Sequence, residues 1–324
     1  MMRRLTVPNV LFSIWVVVLC MLPFVESSYY VHLATNIALF TILAQSWNFI
    51  GGFTGYPSFS TAAFFGLGAY AGAITQNMGL PMELAWIFAT VLVSALAALF
   101  GFILLRLRGH YFAIGSIAIV EVLRLSIASA TDLTGGGNGL NVRFLPGGPE
   151  YVGMVFLYTM VGLMVLVFAL TVWVDKSRFG FGLRCIRQNE DAANMVGINT
   201  NLYKIIAYVL SASFCGTVGA IYASWAGYID PTDSFEILLT LKVPVMAMLG
   251  GAGTVMGPVL GAAAFSLLEE IFWANFLEYN RAILGVVIVI LIFFLPRGLL
   301  KLDYHTLYRR LRHYAVRNPR ERSE

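Results

Sequence analysis

Residues 84–105 read LAWIFATVLVSALAALFGFILL, 22 positions without a charged side chain. At about 1.5 Å of rise per residue, a helix of that length reaches roughly 33 Å, enough to cross the hydrocarbon core of a bilayer. Working outward, comparable apolar runs occupy 10–25, 31–50, 59–78, 111–130, 152–174, 205–226, 237–249, 255–273 and 280–297. The whole chain of 324 residues is 59% hydrophobic and 12% charged, against about 25% charged in soluble domains. A water-soluble fold would need an oversized core to hide so much apolar surface, whereas lipid itself solvates it. The expected fold is an all-α membrane protein with about ten transmembrane segments.

Two of those segments are short or broken. Residues 237–249 span 13 positions and include Lys242 and Pro244, and 59–78 is entered through the turn-rich GGFTGYPSFS. The first run follows Arg3 and Arg4 but lacks a small-x-small cleavage site, so it reads as a retained span rather than a signal peptide.

Basic residues fix the expected orientation. With the N-terminus inside, Arg3, Arg4, Arg106, Arg108, the 175–204 loop and the C-terminal tail place 17 of the 21 Lys and Arg residues at the inner face. Only Arg143 and Arg281 fall in outer loops, while Arg124 and Lys242 lie within segments. An even number of spans then puts both termini in the cytoplasm. The acids Glu26, Glu83, Asp132, Glu150, Asp230, Asp233, Glu236 and Glu278 occupy the outer loops as solvated charges. The expected organisation is one transmembrane domain over 1–304, containing the cytoplasmic loop 175–204, and a basic tail over 305–324.

The net charge of +4 and pI near 9.0 do not indicate nucleic-acid binding, because the cations sit in short loops between apolar runs. Cys20, Cys185 and Cys215 are far apart, as are His32, His110, His305 and His313, so neither a disulfide framework nor a metal site is expected. No Gly-rich string ends in the GK[ST] of a phosphate-binding loop, and no HExxH, GxSxG or carboxylate pair in a polar cleft appears. No catalytic residue and no cofactor of the chain's own is expected.

Three features are candidates for function. GGFTGYPS from Gly51 and GGAGTVMGP from Gly250 stand beside the short segments of the two halves, the arrangement of a translocation path in repeat-built transporters. Gly51, Gly52, Gly55, Tyr56, Ser58, Gly250, Gly251 and Gly253 are the path candidates. For any single glycine, close helix packing is the simpler reading, and it applies equally to Gly66, Gly68, Gly72, Gly257 and Gly261. Glu121 and Arg124 share a helical face at i, i+3 inside a span, where a charge costs about 2.5–3.5 kcal/mol on insertion scales; they form a structural ion pair or line a polar path. Glu269 and Glu270, near the outer end of their segment, reach water.

The third feature is the inner loop 175–204, DKSRFGFGLRCIRQNEDAANMVGINTNLYK. Asn189 suits a helix N-cap, Glu190 and Asp191 suit the positive end of its dipole, and Gly197 suits a left-handed C-terminal position. Ala192 and Ala193 keep one face small enough for another protein to dock closely, although an ordinary interfacial helix has the same signature.

At these residues the chain resembles the permeases of ATP-binding cassette importers. Asp191, Ala192, Ala193 and Gly197 match the DAAxxxG core of their coupling-loop motif, while its apolar-x-Leu-Pro ending is missing. RFGFGLRCIRQNEDAANMVGI, YKIIAYVLSASFCGTVGAIYA, GGAGTVMGPVLGA, GYPSFSTAAFFGLGAYAGA, RLRGHYFAI, TGGGNGL and FLPRGL are together similar to the branched-chain amino acid permeases of the LivM type. That resemblance implies a multi-pass subunit of the bacterial inner membrane, paired with a second related permease. Two cytoplasmic ATPases that bind the ATP, and a periplasmic solute-binding protein, complete such importers. It implies branched-chain amino acids as cargo, or urea or short amides as in sister branches. An ion-coupled secondary transporter using Glu121 and Arg124, and a membrane scaffold without transport, are the alternatives.

Overall fold

The computed structural model describes residues 6–24, 28–275 and 285–286. Within them the apolar runs are helices: α1 (Thr6–Met21), α2 (Ser28–Trp47), α3 (Thr61–Asn77), α4 (Met82–Leu104) and α5 (His110–Ser129) in the first half. After the single turn α6 (Thr131–Thr134) come α7 (Pro149–Lys176), α8 (Arg178–Gln188), α9 (Glu190–Met195) and α10 (Thr200–Ala226). The single turn α11 (Pro231–Ser234), α12 (Ile237–Gly250) and α13 (Gly257–Asn275) follow. Tyr29–Gly52, α4, α5, α7 and α10 are each long and apolar enough to cross a membrane. The protein is a multi-pass helical membrane protein. Arg3, Arg4, Glu26, Glu278, Arg281, the basic tail and, apart from 285–286, the run 280–297 lie outside the described residues.

Hydrogen bonds sort the loops into two ends. At one, Lys204 Nζ donates to Leu105 O at 3.3 Å and Arg187 Nη1 to Gly52 O at 2.6 Å, gathering the ends of α2, α4 and α8 with the start of α10. At the other, Asn77 Nδ2 donates to Asn141 O at 2.8 Å. There β1 (Leu140–Asn141) pairs antiparallel with β2 (Tyr228–Ile229), Leu140 opposite Ile229. Loops that hold most of the described Lys and Arg residues share the first end, which we call the basic end.

The two segments expected to be short are indeed short, but neither is broken. α12 is a continuous 14-residue helix with Pro244 inside it, and α3 runs 17 residues. The irregular chain lies before α3, at 53–60. Its backbone donors find protein acceptors: Tyr56 N donates to Thr54 Oγ1 at 3.3 Å and Phe59 N to Ser116 Oγ of α5 at 2.9 Å, while in the first turn of α3 Ala62 N donates to Thr240 Oγ1 of α12 at 3.2 Å. An unpaired amide at membrane depth costs several kcal/mol, which explains why an irregular segment is tolerated only where protein surrounds it.

Several of the glycines are packing positions. A Cβ on Gly68 would lie 2.0 Å from Gly216 O, and one on Gly219 2.0 Å from Phe65 O, so α3 and α10 touch backbone to backbone. On α12 and α13, a Cβ on Gly250 would lie 1.6 Å from Gly257 O, and one on Gly261 1.9 Å from Met246 O. In lipid, where apolar surface gains nothing by leaving the solvent, such small-residue seams are what lets helices associate.

Candidate functional site

The loop between α7 and α10 holds two helices where one was expected. Ser177 caps α8, its Oγ accepting from Gly180 N at 3.1 Å, and this N-cap was the legible signal for the extra helix. The glycines of RFGFG seat it closely: a Cβ on Gly180 would lie 2.0 Å from Val174 O, and one on Gly182 2.5 Å from the Tyr203 ring. After the single residue Asn189 the chain re-enters a helix, α9.

A six-residue helix does not persist alone. α9 is closed at both ends. Asn189 Oδ1 accepts from Ala192 N at 3.0 Å. Gly197, at φ +87°, allows its N–H to reach Asn194 O at 3.0 Å and the Ile198 N–H to reach Ala193 O at 3.1 Å, the paired bonds of a Schellman closure. The side chains fall differently from the expected small outer face. Ala193 is buried at 2% exposure and seats α9 against the protein, while Ala192, Asn194, Met195 and Val196 face outward. One turn and a half is too short for spacing alone to have told the two alanines apart.

The adjacent acids of α9 point to opposite partners. Asp191 is exposed and pairs with Arg108, on the turn between α4 and α5, at 3.1 Å. Glu190 turns inward to Lys204, which is 1% exposed. The Lys204 ammonium donates to Glu190 Oε1 at 2.6 Å, Tyr56 OH at 3.2 Å and Leu105 O at 3.3 Å, matching its three hydrogens to three acceptors. The Tyr56 hydroxyl in turn donates to the other Glu190 oxygen. Burial opposes ionisation of Glu190, but the bonds from Lys204 and Tyr56 and the charges of Lys204 and Arg108 outweigh it and hold its pKa below the usual carboxylate value. Burial, then the bond to Glu190 and its charge, push the Tyr56 phenol up, so it stays a neutral donor.

The two glycine-rich stretches meet at this same end. Asn48 is fully buried in the π-helical turn Asn48–Gly52 that closes α2. Its Nδ2 donates to Thr254 O at 3.0 Å, and its Oδ1 accepts from Gly253 N at 2.7 Å. Arg187, at the end of α8, lies across both: besides its bond to Gly52 O, a Cβ on Gly253 would sit 2.2 Å from Arg187 Nη1, and one on Gly55 3.0 Å from Arg187 Cγ. Gly55 and Gly253 both adopt positive φ, +77° and +81°. Of the eight path candidates, Gly52, Gly55, Tyr56 and Gly253 therefore stand at the junction with the α8–α9 loop. Ser58 is buried with its hydroxyl 2.8 Å from Ser60 Oγ, Gly51 packs on the Trp47 ring, Gly250 lies in the α12–α13 seam, and Gly251 opens the turn after α12 at φ +125°. Lys204 and Arg187, the two cations that assemble this junction, were counted only as inner-face charge by the sequence reading.

The remaining charged candidates lie elsewhere. Arg124 Nε donates to Glu121 Oε2 at 3.0 Å, and the pair sits half-exposed on α5. Lys242 of α12 pairs with Glu269 of α13 at 2.5 Å, and Tyr29 donates to Glu270. Tyr29, His32, Asn36, Phe40, Glu269 and Glu270 border a cleft of about 360 Å³ at the end opposite the loop, and both glutamates are engaged by protein groups rather than simply reaching water. No group of three or more metal-ligating side chains occurs among the described residues.

The profile of the family described as branched-chain amino acid transport system / permease component matches residues 29–292. The high-affinity branched-chain amino acid transport system permease protein LivM of Escherichia coli (strain K12) is 29% identical, over 91% of this chain and 76% of its own length. The LivH permease protein of the same organism is 23% identical over 81% of this chain and 91% of its own. The corresponding BraD protein of Pseudomonas aeruginosa gives the same three figures, 23%, 81% and 91%. No solved structure matches the chain.

Proposed function

Because the chain belongs to the branched-chain amino acid transport system permease family, we propose that it is one of two related membrane subunits of an ATP-driven importer of branched-chain amino acids. The second permease has the same fold. Likeness to both LivM and LivH, two permeases of one organism, supports the pairing. The basic end faces the cytoplasm and both termini lie on that side of the inner membrane. There two ATPase subunits bind and hydrolyse ATP, while a soluble binding protein delivers solute to the other face. The binding protein sets most of the choice among branched-chain amino acids, urea and short amides.

The observation that carries this reading is α9. It is fixed by caps at both ends, anchored inward through Glu190, and presents Met195 at 88% and Val196 at 75% exposure at the basic end. Two large apolar side chains held in water by a rigid helix form a docking tip, and such central apolar anchors carry most of the energy of an interface. The ATPases grip α9, and their closure on ATP moves it.

Met195→Glu with Val196→Glu tests the reading in the complex expressed with both ATPases. Loss of at least about 2 kcal/mol of docking energy should lower ATPase recovery with the permease roughly thirtyfold, while membrane insertion is unchanged. Undiminished ATPase recovery and undiminished amino-acid uptake would sink it.

A further inference from the structure

We propose that Arg187 is the positioning residue through which movement of the α8–α9 loop reaches the two glycine turns at 51–58 and 250–257. The proposal rests on the reading of α9 as the ATPase-docking helix, and it concerns what happens on the permease side once α9 moves.

The mechanical argument starts from continuity. α8 and α9 are separated only by Asn189, whose side chain caps α9 and whose N–H donates to Cys185 O of α8 at 3.0 Å, so the two short helices are tied as one body. Arg187 lies in the last turn of α8, eight residues before Met195 of the docking tip. Its guanidinium reaches 135 residues back to Gly52 O at 2.6 Å and lies against Gly253 of the other turn. Both turns bring bare backbone against the arginine at positive φ: a Cβ on Gly253 would lie 2.2 Å from Nη1 and 2.8 Å from Gly52 O, and one on Gly55 3.0 Å from Cγ. The bare backbone at both positions is what the arginine occupies.

The two turns move together because Asn48 bonds Gly253 N and Thr254 O from the same π-helical turn that carries Gly52. α2 ends at one of these turns, and α12 and α13 are joined by the other. The short α3 follows the first turn directly. A shift of α8 is thus passed to α2, α3, α12 and α13 at their inner ends. Lys204 serves a different purpose: it is buried, binds Tyr56 and Leu105, and holds the base of the loop. Arg187 is exposed on its outer side, so replacing it leaves the packed interior in place.

The test uses the reconstituted importer with its ATPases, second permease and binding protein. Arg187→Ala should keep the ATPases bound and hydrolysing, yet cut amino-acid uptake per ATP about tenfold, inside the usual range of coupling between sites. Arg187→Lys, whose ammonium can still reach Gly52 O, should restore at least half of the ratio. Unchanged uptake per ATP in Arg187→Ala overturns the proposal, and so does loss of the ATPases, which would make Arg187 a docking residue. A second measurement covers a variant that assembles poorly. Spin labels on Gln188→Cys and Ala252→Cys, in an otherwise cysteine-free permease, should keep one separation through the nucleotide cycle. Adding Arg187→Ala should shift or broaden that separation by more than the about 2 Å of an ordinary helix shift; identical distributions with and without the arginine overturn the proposal. A wild-type complex that holds no ATPase would instead end the α9 reading, while the label distances in the permease alone still report whether Arg187 holds the turns.

Discussion

α10 and α5 have the same hydropathy over their most apolar windows, yet 61% of that window is buried in α10 and 17% in α5. Each carries the cation of an ion pair. Lys204 is 1% exposed, whereas the Arg124 side chain keeps 31% of its surface. α10 lies against α3 and α4 and presents Gly216, Gly219 and Ala220 to them. α5 presents Tyr111, Ile114, Val122 and Leu125 outward. Hydropathy reports only that lipid can surround a helix. Whether protein does surround it is decided by small residues at the seams and by where charge finds a partner. α10 is thus the column of this subunit, and α5 its open side.

The largest expected effect breaks the buried pair. Lys204→Met strands Glu190, leaving the Tyr56 and Thr200 hydroxyls as its hydrogen-bond donors and the exposed Arg108 as the nearby cation, and should destabilise the protein by about 3–5 kcal/mol, the usual penalty for a buried charge that loses its partner. Adding Glu190→Gln removes that charge and should recover part of the loss. Thermal unfolding in detergent measures both. A loss below about 1 kcal/mol, typical of exposed pairs, would put Lys204 in the same class as Arg124 and erase the contrast between the helices.

A second effect sharpens the comparison at the glycines. Gly219→Ala in α10 drives a methyl group to within 2.0 Å of the Phe65 carbonyl, which cannot yield. It should cost about 1–3 kcal/mol, as overpacking does. Gly115→Ala in α5 meets the far end of the Leu104 side chain at 3.0 Å and the Leu107 side chain at 3.3 Å, both of which can turn away. Its expected change is within about 1 kcal/mol, with helix propensity in its favour. Equal losses in the two variants would contradict the seam.

Acid should act on the α10 pair next. Glu190 has a depressed pKa in the folded protein, so the unfolded chain takes up its proton first as pH falls. The stability it contributes is complete above the unfolded value of about 4.3 and is lost as pH falls from there through the folded value. The unfolding midpoint should be flat from about pH 7 to pH 5 in this respect and decline below, and Glu190→Gln should remove that part of the decline. A decline of the same size in the variant would assign it to other carboxylates.

The helices themselves were readable because length and apolarity are local properties. α4 and α5 fall within two residues of the expected runs at each end. The caps of α9 were readable for the same reason, since Asn189 and Gly197 act on neighbours three to five residues away. The junction was not. Arg187 meets Gly52 across 135 residues and Lys204 meets Tyr56 across 148, and no spacing rule connects such positions. Nor could composition tell that Ala193 turns inward or that α12 continues through Pro244. Those facts depend on which helix lies alongside: Pro244 removes a donor, but α12 is buried against α13 and its Lys242 is paired there with Glu269.

The smallest effect on stability is expected on α5, and it decides what the open side is for. Glu121 and Arg124 satisfy each other across one helical turn. Replacing both, as Glu121→Gln with Arg124→Met, leaves neither charge without its partner and should hardly move the unfolding midpoint of the subunit. Arg124→Met alone should be the worse of the two variants, because it leaves Glu121 without its cation. The informative measurement is uptake by the assembled importer. If the pair only stitches α5 together, the double variant transports normally and α5 differs from α10 solely in how much of it protein covers. If uptake collapses while the ATPases stay bound, the pair faces solute or the second permease. α5 would then hold its charges in a helix that little protein covers because something other than lipid lies against it.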